Sequence, residues 1–188
     1  VADKKRIVKI VQETPKYIVY KKRGQPRLRK VLKSRFYQRY YGIENQNSSK
    51  AHLGGHFNTT HTDKGALRYM RDRLGCHTLV DVGCGPGGQV KLARRLGYTA
   101  IGIDGDKELS KNNFSVLDDT VYHDYTIGKL ELTEYKSFDV AWCVEFLEHV
   151  EEKYIKNYMD TLSKCKYVIC TAAEPDEIGW HHVNCKSK

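Results

Sequence analysis

Leu79-Val80-Asp81-Val82-Gly83-Cys84-Gly85-Pro86-Gly87-Gly88 is an apolar strand that meets a carboxylate and then turns through four glycines toward a helix. Glycines 83, 85 and 88 satisfy a G-x-G-x-x-G spacing, and Pro86 stiffens the turn between them. Asp104 ends the next apolar stretch, Ala100-Ile101-Gly102-Ile103. An acid about 20 residues beyond the first glycine is what a ribose diol needs. Glycine also lets backbone N–H groups approach a ligand with no Cβ in the way. The turn is therefore expected to hold a nucleoside-bearing cofactor.

Nicotinamide enzymes share the glycine spacing, so the surroundings must discriminate. In dinucleotide binders the helix after the turn receives a pyrophosphate. Asp81, two residues before the first glycine, would repel that group but could hold an ammonium. Downstream, Tyr122-His123-Asp124-Tyr125 and Phe138-Asp139-Val140-Ala141-Trp142-Cys143-Val144-Glu145-Phe146-Leu147-Glu148-His149-Val150 follow at further strand ends. Together these stretches resemble the class I S-adenosylmethionine-dependent methyltransferases, whose first motif runs D-x-G-C-G-x-G. The resemblance spans residues 59–188.

It implies S-adenosylmethionine as cofactor and an α/β fold, a doubly wound, mostly parallel Rossmann-like sheet. By resemblance, Asp81 and the turn residues Gly83, Cys84, Gly85 and Gly87 surround the methionyl part of the cofactor, with Glu145 beside them. Asp104, followed by Gly105, takes the ribose hydroxyls. Asp124 meets the adenine amino group and Tyr125 packs on the purine; for Asp124 a turn or helix-capping role stays open. His61 and Asp63 could approach the cofactor from above, or Asp63 could cap a helix.

Alternation along the chain agrees with that fold. Strands are expected near 78–82, 100–104, 120–123, 138–143 and 166–171, with helices near 87–96, 107–113 and 151–164. The last helix carries Tyr154, Ile155, Tyr158, Met159 and Leu162 on one face. A preceding helix should start at Thr62 as N-cap, show Leu67, Met70 and Leu74 on one face, and stop at Gly75. Family members usually finish with two more strands as an antiparallel pair, whereas only the short stretch 172–188 follows the expected fifth strand. Either those strands are missing or another segment, such as an N-terminal hairpin, covers the sheet edge.

Glu145-x-x-Glu148-His149 follows the fourth strand, and Trp180-His181-His182-Val183-Asn184 follows the fifth. Neighbouring strand ends would bring Glu145, Glu148, His149 and His182 together beside the methyl donor. Carboxylate with imidazole suits a divalent cation such as Mg²⁺ or Mn²⁺. The pattern is similar to terminal 2′-O-methyltransferases of small RNAs and to ubiquinone-pathway O-methyltransferases, which share the L-E-H-V core. Three roles remain open for these residues: metal ligands, direct acid–base or substrate-orienting groups, and a loop-shaping structural set. His182 is favoured over His181 by its likeness to a G-x-x-H-V-N pattern in phage-type members.

Charge is unevenly placed. Residues 1–50 hold 15 Lys and Arg against 3 acids, while residues 51–188 hold 17 against 20. Ile7–Val11 and Tyr17–Tyr20 read as a hairpin, and Leu28, Leu32 and Phe36 at four-residue spacing read as a helix opened by Pro26 and ended at Gly42. Lys21-Lys22-Arg23, Arg27, Arg29-Lys30, Lys33, Arg35 and Arg39 alternate with Tyr17, Tyr20, Phe36, Tyr37, Tyr40 and Tyr41. Cations for phosphates mixed with aromatics for bases suit a nucleic-acid surface. Residues 1–58 are thus expected to be a basic extension and linker, and 59–188 the catalytic domain.

Six cysteines form no C-x-x-C pair, which fits buried thiols in a reducing, cytoplasmic setting. No apolar run reaches the length of roughly 18 residues that marks a spanning helix, so no membrane span is expected. Two functional classes follow. One is an O-methyltransferase acting on RNA or on a small-molecule hydroxyl; the other is a nucleic-acid-binding protein built on an inactive methyltransferase fold.

Overall fold

Thr78–Val82 (β4) is buried from its second residue onward, as a strand covered on both faces must be. The computed structural model describes residues 8–13, 17–22, 28–32, 52–53, 60–111, 120–133, 137–175 and 181–185. It divides into two units, Val1–Asn47 and Ser48–Lys188. The break precedes His52 and Leu53, which pack on residues of the larger unit.

The larger unit is built on a five-stranded sheet ordered β6-β5-β4-β7-β8. Its members are β5 (Thr99–Asp104), β6 (Val121–Tyr122), β7 (Phe138–Cys143) and β8 (Cys165–Cys170) around β4. Every pairing is parallel: Leu79 lies opposite Ala100 on one side and Val140 on the other. The order reverses around β4, so the carboxyl ends of β4, β5 and β7 open a crevice. The doubly wound parallel sheet anticipated from the motifs is therefore present. Among the described residues β6 and β8 are its edges, and no closing antiparallel pair occurs.

Side-chain alternation sorts the core into two layers. Leu79, Ala100, Val140 and Trp142 pack with Leu67 and Met70 of helix α1 (Lys64–Leu74) and with Val90 and Ala93 of α2 (Gly88–Arg95). Val80, Val82, Ile101, Ile103, Ala141 and Cys143 face Tyr158 and Leu162 of α3 (Ile155–Leu162). Asp63, not Thr62, caps α1: its carboxylate accepts from the Ala66 N–H at 2.9 Å, three residues into the turn. Gly75 closes that helix in the left-handed region, as expected. The expected 107–113 helix is a 3₁₀ segment over Lys107–Lys111. In α3, Met159 is exposed and Thr161 is buried, because the buried Tyr125 hydroxyl donates to Thr161 Oγ1 at 2.9 Å.

The smaller unit carries a three-stranded antiparallel sheet of β1 (Val8–Glu13), β2 (Tyr17–Lys22) and β3 (Leu28–Leu32). The hairpin is present, but the helix expected from Leu28 is a strand over Leu28–Leu32. A four-residue spacing satisfies a period of two as well as a helical turn, and pairing from Tyr17↔Leu32 to Lys21↔Leu28 decides for the strand. Phe36, Gly42 and Pro26, which also entered the helix expectation, lie outside the described residues. Among the described residues no helix is long and apolar enough to cross a membrane.

At the amino end of the large sheet, one carboxylate buckles β4 to β7. Asp139 Oδ2 accepts from the His77 N–H (2.8 Å), the Thr78 N–H (2.9 Å) and the Thr78 hydroxyl (3.0 Å). These donors hold the Asp139 carboxyl below its ordinary range, the His77 N–H most of all. A depressed carboxyl pKa adds stability that is full above the unfolded value, about pH 4, and drains as pH falls through the folded value. Asp139→Asn should cost about 1–2 kcal/mol at pH 7 in urea denaturation and flatten the loss of stability below pH 4. Equal acid sensitivity in both proteins would refute the buckle.

Candidate functional site

The glycine turn leaves β4 by spending its first two donors on the neighbouring strand. The N–H groups of Gly83 and Cys84 both bond the Ile103 carbonyl, at 2.9 and 3.0 Å, rather than pointing to a ligand. Gly83 has φ +78°, and a Cβ there would lie 2.6 Å from Phe146 Cδ2, so the loop after β7 closes directly over the turn. Gly85 and Gly87 are also left-handed. The Gly85 N–H donates to Asp104 Oδ2 at 2.8 Å, and Gly88 N–H to Thr60 Oγ1 at 3.1 Å. The Cys84 thiol is buried, and that burial pushes its pKa well above the ordinary range, which suits a packing group.

Three acids stand along the strand ends. Asp81 is 3% exposed, and its Oδ2 has no hydrogen-bond partner. Burial, with Asp104 nearby, pushes its carboxyl up to about 8. Asp104 accepts from Gly85 on one oxygen and from the Asp106 N–H on the other, at 2.8 Å each. Asp124 Oδ1 accepts from the Thr126 N–H and hydroxyl at 3.0 and 2.7 Å, so the turn-forming role left open for it is real. It also accepts from His52, whose Nε2 lies 3.0 and 3.1 Å from the two carboxylate oxygens.

Tyr125 is placed differently from the expectation. Its ring sits in the core, edge-on to Tyr158, Phe146 and His123, instead of offering a face to a purine. The Thr161 bond and the apolar wall of α3 draw it inward. His61 is exposed, and Asp63 serves α1 as its cap while its N–H donates to Gln89 Oε1 at 3.1 Å.

Of the four residues expected to gather here, three lie together among the described residues. Glu148, His149 and His182 place one ligand atom each within 4.8 Å of one another. The two imidazole rings meet edge to face at a centroid distance of 5.1 Å. Zinc–nitrogen bonds of about 2.0–2.1 Å would require those atoms to draw somewhat closer around an ion. Glu145 lies outside the group: its N–H donates to Thr171 Oγ1 at 3.0 Å, and that hydroxyl donates back to Glu145 Oε1 at 3.1 Å. Glu145 also has φ +56°, a left-handed backbone that is strained for a residue with a side chain.

Backbone bonds deliver His182 to its place. The N–H groups of Val183 and Asn184 both donate to the Glu148 carbonyl, at 2.8 and 3.2 Å. His181 turns elsewhere, its ring 6.3 Å from that of His52. Of the two histidines, His182 is the one that lies beside His149. Sequence reasoning missed Thr171, Thr60 and Phe146, of which only Thr171 carried a hint, its place just past a strand end.

Residues 80–170 match the family model described as a methyltransferase domain. A ubiquinone biosynthesis O-methyltransferase from Hahella chejuensis is 41% identical over 78 residues, 39% of this chain and 33% of that protein. One from Nitrosococcus oceani is 37% identical over 90 residues, 45% and 38% of the two chains. The chain thus spans between a third and two fifths of the length of these curated relatives. Among solved structures, an S-adenosylmethionine-dependent methyltransferase from Archaeoglobus fulgidus is 22% identical, with 58% of this chain and 52% of that one covered and a TM-score of 0.41.

Proposed function

We propose that the larger unit, a class I S-adenosylmethionine-dependent methyltransferase domain, binds that cofactor across the ends of β4, β5 and β6 and methylates an oxygen of its acceptor. The observation that carries the reading is the buried Asp81 carboxyl with an unpartnered oxygen beside the glycine turn. A buried polar atom without a partner is costly, and an ammonium group supplies the partner it lacks. Asp81 would hold the cofactor's amino group, Asp104 its ribose hydroxyls and Asp124 its adenine amino group. S-adenosylmethionine supplies a methyl group on a positively charged sulfur, open to attack by a nucleophile from the far side.

Oxygen as the acceptor atom is favoured by the two curated relatives, both O-methyltransferases by name. A hydroxyl is a poor nucleophile until its proton leaves. A ring nitrogen of His149 or His182 would take the proton of that hydroxyl as the methyl group is transferred to its oxygen. The same residues with Glu148 could instead hold a divalent cation, which would lower the pKa of a bound hydroxyl and orient it.

The charge of residues 1–50 favours RNA as acceptor. Lys21, Lys22, Arg29 and Lys30 fall on β2 and β3, and cations there would neutralise phosphates. A small-molecule hydroxyl is the second reading, favoured by the relatives' names. An RNA oligonucleotide should bind the full chain with an affinity that falls at least about tenfold between 50 and 200 mM salt. Binding that ignores salt would leave the small-molecule reading.

Asp81 allows a direct test. With its carboxyl at about 8, it is mostly protonated at pH 7 in the free protein and must ionise to pair with an ammonium. Titration with S-adenosylhomocysteine at pH 7 should release about one proton, read as an enthalpy that differs between phosphate and Tris. Affinity should rise from pH 6 to 8. Asp81→Asn should abolish the release and weaken binding roughly 10- to 100-fold. The same substitution should raise the melting temperature of the ligand-free protein at pH 7, because an acid whose pKa rises on folding costs stability above its unfolded value. Cofactor binding with no proton release and no effect of Asp81→Asn would sink the assignment.

For the cation, Mn²⁺ titrated into the wild type should give a saturable heat that His182→Ala and Glu148→Gln both remove, while S-adenosylhomocysteine binding persists. No Mn²⁺ heat in the wild type would leave the two histidines their acid–base role.

A further inference from the structure

Two consecutive residues that no sequence signal marked reach the ends of two adjacent strands. His52 meets both carboxylate oxygens of Asp124, just after β6. Leu53 lies against Gly105, just after β5: a Cβ built on Gly105 would collide with Leu53 Cδ2. The same added atom would lie 3.5 Å from both the Asp124 Cα and the His123 carbonyl oxygen, so all four residues meet in one place. The strand ends are themselves joined there, since the His123 N–H donates to the Asp104 carbonyl at 2.8 Å. Leu53 thus occupies the space that a side chain at position 105 would otherwise take, next to Asp104.

The chemistry of the pair is complementary to a nucleoside. Asp124 is gripped from two sides, by Thr126 within its own turn and by His52 from a segment 72 residues away. A carboxylate held by donors on different elements cannot swing, so it presents a fixed acceptor edge. Its side chain is only 9% exposed, against 21% for His52, so both members of the pair are largely shielded from water. Leu53 adds a half-buried apolar surface beside the ribose acid, and flat aromatic ligands are bound by apolar walls with a few placed polar groups.

We propose that His52 and Leu53 are cofactor-site residues forming the outer wall of the adenosyl subsite: His52 fixes Asp124 as acceptor for the adenine amino group, and Leu53 covers the purine beside Asp104. This inference rests on the reading of the crevice as an S-adenosylmethionine site. His52 acts through Asp124 and is a positioning residue, whereas Leu53 touches the base.

A pair of analogues separates the roles. S-adenosylhomocysteine offers an amino donor at the purine 6-position, whereas S-inosylhomocysteine offers a carbonyl oxygen that would confront the Asp124 carboxylate. Calorimetry on the full chain should show the wild type preferring the adenosyl form by roughly 100-fold or more. His52→Ala should weaken the adenosyl form about tenfold and narrow the preference, because a loosened carboxylate discriminates less. His52→Gln, which keeps a donor near the Nε2 position, should recover part of both. Leu53→Ala should weaken the two analogues by the same factor and leave the preference intact. Unchanged melting temperatures would show that the variants are folded.

If the wild type binds S-adenosylhomocysteine and His52→Ala and Leu53→Ala bind it equally well, the wall is refuted while the cofactor site stands. Tighter binding by His52→Ala would also overturn the proposal, since the histidine would then be competing with the base for Asp124. Failure of the wild type to bind S-adenosylhomocysteine at all would instead remove the cofactor reading on which the wall rests.

Discussion

The hydrogen bond from the Gly85 N–H to Asp104 Oδ2, 2.8 Å long and buried, joins the turn after β4 to the end of β5. Gly83 and Cys84 add two more bonds to the Ile103 carbonyl. The turn is therefore not a free loop: its path is set by the strand beside it, and only residues tolerant of positive φ can follow that path. Asp104 in turn holds the Asp106 N–H, and Asp106 the Glu108 N–H at 3.0 Å, so the same carboxylate starts the next segment. Losing this one acid would loosen both sides of the crevice, apart from any contact it makes to a ligand.

That arrangement has a cost, which falls on Asp81. Two carboxyls lie close together in a buried place, and burial with the neighbouring charge keeps Asp81 protonated at neutral pH. A protonated acid with an unpartnered oxygen is poor for stability, and it must lose its proton before it can pair with a cation. Stability is given up there in the free protein, and under the proposed reading a bound ammonium would restore it.

The rim is assembled from distant parts of the chain. Phe146 covers Gly83, Thr60 meets Gly88, and the residues around Val183 bond the Glu148 carbonyl. Glu145 departs from ordinary backbone geometry where β7 hands over to this rim, and Thr171, one residue past the end of β8, holds it there. Histidines 181 and 182 are separated by that docking: one turns toward His52, the other toward His149.

The parallel sheet, the glycine turn and the positions of Asp81 and Asp104 were legible in the chain, because continuous apolar runs alternating with helical stretches and the glycine spacing are local properties. The approach of His182 to His149 was expected from the adjacency of two strand ends, and the choice of His182 over His181 from its likeness to a G-x-x-H-V-N pattern. Tertiary structure alone decided the rest. Leu28 and Leu32 fit a helix and a strand equally well until β2 pairs with them. Tyr125 could face ligand or core until the Thr161 hydroxyl captures its own. Glu145 carries the same chemistry as Glu148 but is turned to Thr171. His52 and Leu53 have no motif at all, and their position against Asp124 and Gly105 depends on contacts with parts of the chain far along the sequence. Local spacing can specify which atoms a strand end offers, but which distant side chain meets them is settled only when the chain packs.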